Sequence, residues 1–131
     1  IIKLMKNGEI SATPGALELM KYLKQKGIKI GVASGSMRYY VEEGLKCFNF
    51  MQYVDAFSGG DEVENSKPMP DVYELTLKRL GLGAKDVIAC EDSSSGYSSA
   101  TAAGIKCVVY NNDKIGELHI SSMEELKKYF D

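Results

Sequence analysis

Apolar residues along this chain form short continuous runs that alternate with segments of helical spacing. Four runs have the length of single strands: residues 28–33, 54–57, 87–90 and 107–110. Short, almost wholly apolar runs are typical of strands that are buried on both faces. The intervening segments place apolar residues three and four positions apart, which predicts helices. The alternation predicts an α/β fold in which helices cover both faces of a parallel sheet.

Proline and glycine mark where the predicted helices begin and end. Thr13 followed by Pro14 predicts the start of the first helix, and Gly27 predicts its end. Pro70 and Gly81 bound the third helix in the same way. In that helix the spacing predicts four residues facing the core: Val72, Leu75, Thr76 and Leu80.

Length, charge and cysteine content narrow the class of protein. With 131 residues, the chain can form one domain with its own hydrophobic core. Its net charge of −2 is small and the charges are interspersed, which argues against nucleic acid or a membrane as a partner. The cysteines Cys47, Cys90 and Cys107 are an odd number without C-x-x-C spacing. They therefore indicate reduced thiols in a cytoplasmic protein.

Polar residues follow three of the predicted strands. Ser34 and Gly35 end the first strand, Lys67 follows the next one, and Glu91 and Asp92 end the third. The carboxyl ends of parallel strands share one edge of the sheet, where such folds place their chemistry. A hydroxyl, free backbone N–H groups, a lysine and two carboxylates suit a phosphate held beside a divalent cation. Adjacent carboxylates also repel each other, so we expect Mg²⁺ to supply the compensating charge.

Each of these residues also has an ordinary structural interpretation. A serine at a strand end is commonly a turn residue, a lone lysine is commonly solvated, and an acidic pair can cap the next helix. Their occurrence in order at three successive strand ends favours the functional interpretation. Arg38 could face a substrate or be a solvated residue of the first helical turn, whereas Asp61 and Glu62 are expected on a loop surface.

Three segments carry a resemblance to a known family. "GIKIGVASGS", "SKPMPDVYE" and "VIACEDSSSGYSSATAAGI" resemble the second, third and fourth motifs of haloacid dehalogenase-type phosphotransferases, and most closely their β-phosphoglucomutase-like subgroup. The resemblance implies an HAD-like, Rossmann-like core. It also implies that Ser34 and the Gly35 amide bind phosphate and that Lys67 bridges phosphate and nucleophile. Glu91 and Asp92 would serve Mg²⁺, and Ser93 would support these two ligands without binding the metal itself.

The chain departs from the family pattern at the first motif. That motif, Asp-x-Asp, supplies the nucleophile and the general acid/base, and no D-x-D occurs in this sequence. The central strand that carries the motif would be missing between the strands ending at Ala33 and Glu91. Either another segment fills that position, or the chain is less ordered than a full domain. We expect residues 1–12 to be a remnant of a cap or linker and residues 13–131 to be a partial core.

These observations predict the C-terminal core of a Mg²⁺-dependent phosphatase or phosphomutase. The resemblance implies a small phosphorylated metabolite of the sugar-phosphate type as substrate. It also implies an aspartyl-phosphate whose nucleophile lies outside this chain, in the missing N-terminal part of the same protein. The alternative is a non-catalytic phosphate-binding or interaction module, since the chain lacks the nucleophile.

Two rival motifs point to other enzyme classes. "GGDEV" at residues 59–63 is similar to a cyclase signature, but that signature needs an antiparallel hairpin, whereas a proline-rich segment and a helix follow here. Ser34, Asp92 and His119 have the chain order of an α/β-hydrolase triad. "GVASGS" is not G-x-S-x-G, however, so the nucleophile elbow of that fold is absent from the sequence.

Overall fold

The computed structural model describes residues 13–131 and, before them, the short antiparallel strands β1 (Met5–Lys6) and β2 (Glu9–Ile10). The expected cap or linker remnant at residues 1–12 therefore lies mostly outside the described residues. The other helices and strands are α1 (Ala16–Gln25), β3 (Gly31–Ala33), α2 (Arg38–Cys47), β4 (Ala56–Ser58), α3 (Asp71–Leu80), β5 (Ile88–Glu91), α4 (Ser94–Ala102), β6 (Lys106–Tyr110) and β7 (His119–Ile120). Short 3₁₀ helices span Met51–Tyr53, Gly60–Glu62, Ala84–Asp86 and Met123–Tyr129.

The strands from β3 onward form two parallel sheets. β3 pairs with β4, so that Ala33 lies opposite Ser58. β5 pairs with β6, with Glu91 opposite Val109, and β6 pairs with β7. The predicted α/β fold with parallel strands is confirmed, and the predicted single sheet is divided in two.

Helices cover both faces of these sheets. Successive strand residues point to opposite faces, and the core divides accordingly. Val32, Cys90 and Val108 pack in one cluster with buried residues of α1 and α2. Their neighbours Ala33, Ala89 and Cys107 pack in a second cluster with residues of α3 and α4. The sheets therefore lie between two helical layers, as in a doubly wound fold.

A cavity of about 340 Å³ lies between the two sheets. Its walls include Ile30 beside β3 and Ile88 of β5, together with Leu19 of α1 and Leu80 of α3. Since α1 and α3 lie on opposite faces, a cavity that reaches both must cross the layer of the sheets. Among the described residues no strand lies between β3 and β5. We name this cavity the inter-sheet slot.

Glycines lie at the C-terminal ends of two helices, and another glycine directly precedes the first residue of α1. Gly27 and Gly81 adopt left-handed backbone angles, with φ of 76° and 72°, and the predicted helix ends there are confirmed. The predicted start at Thr13-Pro14 was wrong, because Gly15 has a φ of 82° and the helix begins at Ala16. A left-handed residue cannot continue a right-handed helix.

Candidate functional site

The predicted site residues occupy the carboxyl ends of β3 and β5. Ser34 directly follows β3, and its backbone N–H donates to the Ser58 carbonyl oxygen at 3.0 Å. Glu91 is the last residue of β5, and Asp92 follows it. Lys67 lies between β4 and α3 and reaches both ends, since its Nζ donates to Ala33 O at 3.1 Å and to Glu91 Oε2 at 2.7 Å. The structure therefore brings the end of β3, Lys67 and Glu91 together.

Lys67 and Glu91 form a buried ion pair. The Lys67 side chain is 10% exposed and that of Glu91 is 1% exposed. Buried ionic groups are tolerated when their charges are paired and their remaining polar atoms are hydrogen-bonded. The ammonium of Lys67 and the carboxylate of Glu91 thus neutralise each other at the carboxyl ends of β3 and β5.

Tyr73 and Gly96 complete the surroundings of the Glu91 carboxylate. The hydroxyl of Tyr73, a fully buried residue of α3, donates to Glu91 Oε2. Burial raises the pKa of the Tyr73 hydroxyl well above its usual value, and so does the Glu91 carboxylate, so this group stays a donor. On the other side, a Cβ placed on Gly96 would lie 2.0 Å from Glu91 Oε1. Only glycine fits at this position of α4 without a shift.

Asp92 and Ser93 have separate environments. Asp92 is exposed, and its backbone carbonyl accepts a hydrogen bond from Asn112 Nδ2 at 3.3 Å. Ser93 is the N-cap of α4, and its Oγ accepts from the Gly96 N–H at 3.1 Å. The helix-cap interpretation thus holds for Ser93, whereas the Asp92 side chain faces solvent.

Ser34 and Gly35 form a tight turn after β3. Ser34 is 5% exposed, and its Oγ accepts a hydrogen bond from the Ser36 N–H at 3.0 Å. Gly35 is exposed. A Cβ on Gly60 would lie 2.4 Å from the Gly35 carbonyl oxygen, so the second glycine of "GGDEV" is needed for the close approach of the two loops. β4 precedes this segment and the helix α3 is the next regular element after its short 3₁₀ turn, so no antiparallel strand follows to form the cyclase hairpin.

The charge at Glu91-Asp92 is compensated differently from the sequence-based expectation. Lys67 supplies a positive charge directly to Glu91, and Asp92 is solvated. The two adjacent carboxylates therefore do not require a metal ion to offset their negative charge in the folded chain. Within residues 13–131, no group of three or more metal-ligating side chains occurs.

The two carboxylates can still serve as part of a Mg²⁺ site. Glu91 Oε1 is buried and accepts no hydrogen bond from the residues that the structure describes. It is a carboxylate oxygen with unused acceptor capacity, and the exposed Asp92 is its neighbour in sequence. Mg²⁺ is held in proteins by one or two carboxylates together with phosphate oxygens and water. The carboxylates of Glu91 and Asp92 can therefore supply two of the ligands of such an ion.

Sequence reasoning missed Tyr73 and Gly96 as parts of the site. The helical spacing predicted Leu75 on the inward face of α3, but Leu75 is half-buried and Tyr73 is fully buried. A tyrosine buried near a predicted acidic site needs a hydrogen-bond partner, which is the signal that could have identified it. Gly96, in the first turn of a helix just after two carboxylates, carried a weaker signal of close approach.

The other candidate residues lie elsewhere. His119 is exposed on β7, and its Nε2 is hydrogen-bonded to Ile115 O at 2.7 Å, not to Ser34 or Asp92. The hydrolase triad is therefore not assembled. Burial raises the pKa of Cys90 to about 11 and that of Cys107 to about 12, so these thiols stay protonated and are poor nucleophiles.

Arg38 and Glu62 join the loop after β4 to the start of α2. Arg38 Nη1 lies 3.3 Å from Glu62 Oε1, and the guanidinium lies 4.4 Å from the centre of the Phe57 ring. Glu62 also accepts from Arg79 Nη2 at 2.5 Å, while Asp61 Oδ1 accepts from the Arg38 N–H at 2.7 Å. The expectation that Glu62 is plain loop surface was wrong, because its carboxylate is ion-paired and mostly buried.

We expect Glu62 to make the protein sensitive to acid. Hydrogen bonds from Arg79, and to a lesser extent from Gly59 and Arg38, hold the pKa of Glu62 at about 2, compared with 4.5 in an unfolded chain. A depressed pKa stabilises the folded state above pH 4.5, and this contribution is lost as the pH falls towards 2. Urea unfolding of Glu62→Gln between pH 6 and about 2.5 should therefore show a shallower loss of stability than wild type. The same substitution at the exposed Glu117 is the control, and an equal slope for both variants would contradict the assignment.

The sequence profile of one family matches most of this chain. The profile described as "Haloacid dehalogenase-like hydrolase" matches residues 1–110. The chain belongs to the haloacid dehalogenase-like hydrolase family. The resemblance inferred from the three motifs is confirmed.

None of the described helices has the length and apolar composition needed to cross a bilayer.

Three relatives illustrate this membership. The chain is 35% identical to the phosphorylated carbohydrates phosphatase of Thermotoga maritima over 97 residues, which are 74% of this chain and 45% of that protein. It superimposes on CbbY from Rhodobacter sphaeroides, crystallised with phosphate, with a TM-score of 0.80 and 30% identity, covering 90% of this chain and 57% of that one. For β-phosphoglucomutase from Clostridium difficile the TM-score is 0.82, with 25% identity over 92% of this chain and 54% of that one. The chain thus spans about half the length of these relatives.

Proposed function

We propose that the whole protein is a Mg²⁺-dependent phosphatase or phosphomutase that acts on a small phosphorylated metabolite of the sugar-phosphate type. The observation that carries the proposal is the position of Lys67, whose ammonium is held at the end of β3 beside the Ser34-Gly35 turn. Family membership supports phosphoryl chemistry, and the relatives named for phosphorylated carbohydrates support the substrate class. Three free cysteines are consistent with a cytoplasmic location, which we also propose.

In this proposal each site residue has a defined task. The Ser34 hydroxyl and the Gly35 N–H bind phosphoryl oxygens, and Lys67 balances the negative charge of the phosphate. Glu91 fixes Lys67, and Glu91 and Asp92 hold the metal. Bound Mg²⁺ would neutralise phosphoryl oxygens and orient the phosphate for in-line attack. By resemblance to the family, the attacking group is an aspartate outside this chain, which forms an aspartyl-phosphate.

The inter-sheet slot indicates where the rest of the protein contributes. Among the strands that the structure describes, β3 and β5 each have a partner on one side only. The slot between them is lined by apolar residues of both sheets and both helical layers. A parallel sheet gains backbone hydrogen bonds and apolar contact when such a position is filled by a strand. We propose that the N-terminal part of the same protein fills the slot and brings the nucleophile to the edge where Lys67 lies.

A second candidate function is a non-catalytic phosphate-binding or interaction module. The observation in its favour is that the chain contains no Asp-x-Asp. Such a module would bind phosphate through Ser34, Gly35 and Lys67 without turning over a phosphate ester. The activity of the whole protein separates the two candidates.

We expect the whole protein to hydrolyse or transfer phosphate from sugar phosphates in a Mg²⁺-dependent reaction. The present chain alone should show no turnover of p-nitrophenyl phosphate, because it has no aspartyl nucleophile. The measurement is a phosphatase screen of the whole protein with and without EDTA, and of this chain with and without the separately expressed N-terminal part. Activity that appears only when both parts are present supports the proposal. Metal-independent turnover, or turnover by this chain alone, would contradict it.

The carboxylate roles are tested by Asp92→Asn. Since Asp92 is exposed, its replacement should leave the fold intact while it weakens Mg²⁺ binding about tenfold or more. Thermal melts with and without millimolar Mg²⁺ measure the effect, with Asp113→Asn, an exposed aspartate after β6, as the matched control. If wild type and Asp92→Asn respond equally to Mg²⁺, Asp92 is not a metal ligand.

A further inference from the structure

Two hydrogen-bond donors meet on one oxygen of the Glu91 carboxylate. Lys67 Nζ donates to Oε2 at 2.7 Å, and the Tyr73 hydroxyl donates to the same oxygen. Oε1 receives no donor from the described part of the chain. The last torsion of a glutamate is broad and nearly two-fold, so the side chain alone does not distinguish its two oxygens. Here Lys67 and Tyr73 together distinguish them, and Tyr73 is the donor held within a fully buried side chain.

Tyr73 also contacts Lys67 directly. The ammonium nitrogen lies 5.3 Å from the centre of the Tyr73 ring, within the range of a cation–π interaction. The ring is fully buried on α3, so it cannot follow the lysine if the lysine moves. One residue therefore contacts the cation through its ring and the anion through its hydroxyl.

These contacts determine where Lys67 can bind a ligand. An ammonium group has three N–H donors, and the structure assigns two of them, to Glu91 Oε2 and to Ala33 O. The third has no acceptor among the described residues, and Ala33 is the residue before Ser34. A phosphate bound at the Ser34-Gly35 turn would be attracted by this remaining N–H donor. Its direction depends on the position of Glu91 and hence on the Tyr73 hydroxyl.

We propose that Tyr73 is a positioning residue, which orients the Lys67 ammonium towards bound phosphate by fixing the Glu91 carboxylate. The inference rests on the proposed function, because it assigns Tyr73 a role in the same phosphate site. Tyr73 does not touch the phosphate itself and acts only through Lys67 and Glu91.

The test compares Tyr73→Phe with Thr76→Val. The first substitution keeps the ring and removes only the hydroxyl. Thr76 is also fully buried on α3, but its Oγ1 donates to Val72 O, within the helix, at 2.8 Å. Both variants thus lose one buried hydroxyl from the same helix, and only Tyr73→Phe loses the contact with Glu91. Thermal melts verify that both variants are folded to a similar extent.

Two readouts report on Lys67. The first is the affinity of the whole protein for inorganic phosphate with millimolar Mg²⁺, measured by calorimetric titration. The second is the rate at which limiting acetic anhydride acetylates Lys67 relative to the exposed Lys78, measured by mass spectrometry. Tyr73→Phe should weaken phosphate binding about tenfold, the scale of one hydrogen bond to a charged group. It should also accelerate acetylation of Lys67, whereas Thr76→Val should change neither.

The outcomes separate this inference from the proposed function. If wild type binds phosphate and Tyr73→Phe behaves as Thr76→Val in either readout, the positioning role is overturned. If the whole wild-type protein binds no phosphate, that result counts against the proposed function. The acetylation rate of Lys67 then decides whether Tyr73 orients it.

Discussion

Replacing Lys67 with methionine is expected to lower the free energy of unfolding by about 3–5 kcal/mol in the absence of metal. The substitution keeps most of the side-chain volume and removes the charge. Glu91, with a side chain 1% exposed, would then carry an uncompensated negative charge between the two sheets. Its remaining hydrogen bond, from Tyr73, cannot offset the cost of burying a carboxylate. Urea unfolding at neutral pH measures the loss.

Two controls separate the ion pair from the loss of packing. In Lys67→Met/Glu91→Gln both charges are absent, so most of the lost stability should return. Lys78→Met removes an exposed lysine of α3 and should change stability by less than about 0.5 kcal/mol. Millimolar Mg²⁺ should restore part of the stability of Lys67→Met, because a cation at Glu91 would replace the missing ammonium. If the single and double variants are equally unstable, Glu91 does not depend on Lys67 for its charge balance.

Replacing Gly96 with alanine is expected to lower the free energy of unfolding by about 2–3 kcal/mol, although alanine favours a helix over glycine by ~1 kcal/mol. The added Cβ would lie 2.0 Å from Glu91 Oε1 and 2.4 Å from its carboxyl carbon. Glu91 cannot move aside freely, because Lys67 and Tyr73 fix its other oxygen. Either α4 or the carboxylate must therefore shift.

The dependence on Glu91 is the critical feature of this prediction. In a Lys67→Met/Glu91→Ala background the obstructing carboxylate and its partner charge are both absent. Gly96→Ala should there be neutral or stabilising by up to ~1 kcal/mol, the value of the helix propensity alone. Chemical unfolding of the four variants in a double-mutant cycle measures the coupling. Equal destabilisation of both backgrounds would show that Gly96 is required for another reason.

The parts of the site that sequence predicts well are those fixed by local pattern. Short apolar runs ending in polar residues placed Ser34, Gly35 and Glu91 at strand ends, and the structure has them there. Lys67 could be assigned to the same edge because parallel strands share one direction. β7 was missed, since two residues, His119–Ile120, are too few to show a periodicity. The later start of α1 was missed because Thr13-Pro14 is a typical helix start, and the left-handed φ of Gly15 is not evident from the sequence.

Sequence by itself therefore determined the α/β alternation, the polar residues at the strand ends and the family to which they point. These features depend on which residues are neighbours along the chain, and such information is complete in the sequence. Only the tertiary structure decided that Lys67 neutralises Glu91, that Asp92 is solvated, and that Tyr73 and Gly96 enclose the carboxylate. Tyr73 and Glu91 are separated by 18 positions in sequence. Their contact follows from the packing of α3 on the sheets. Local spacing does not encode which side chains meet across packed layers, so the sequence alone does not show it.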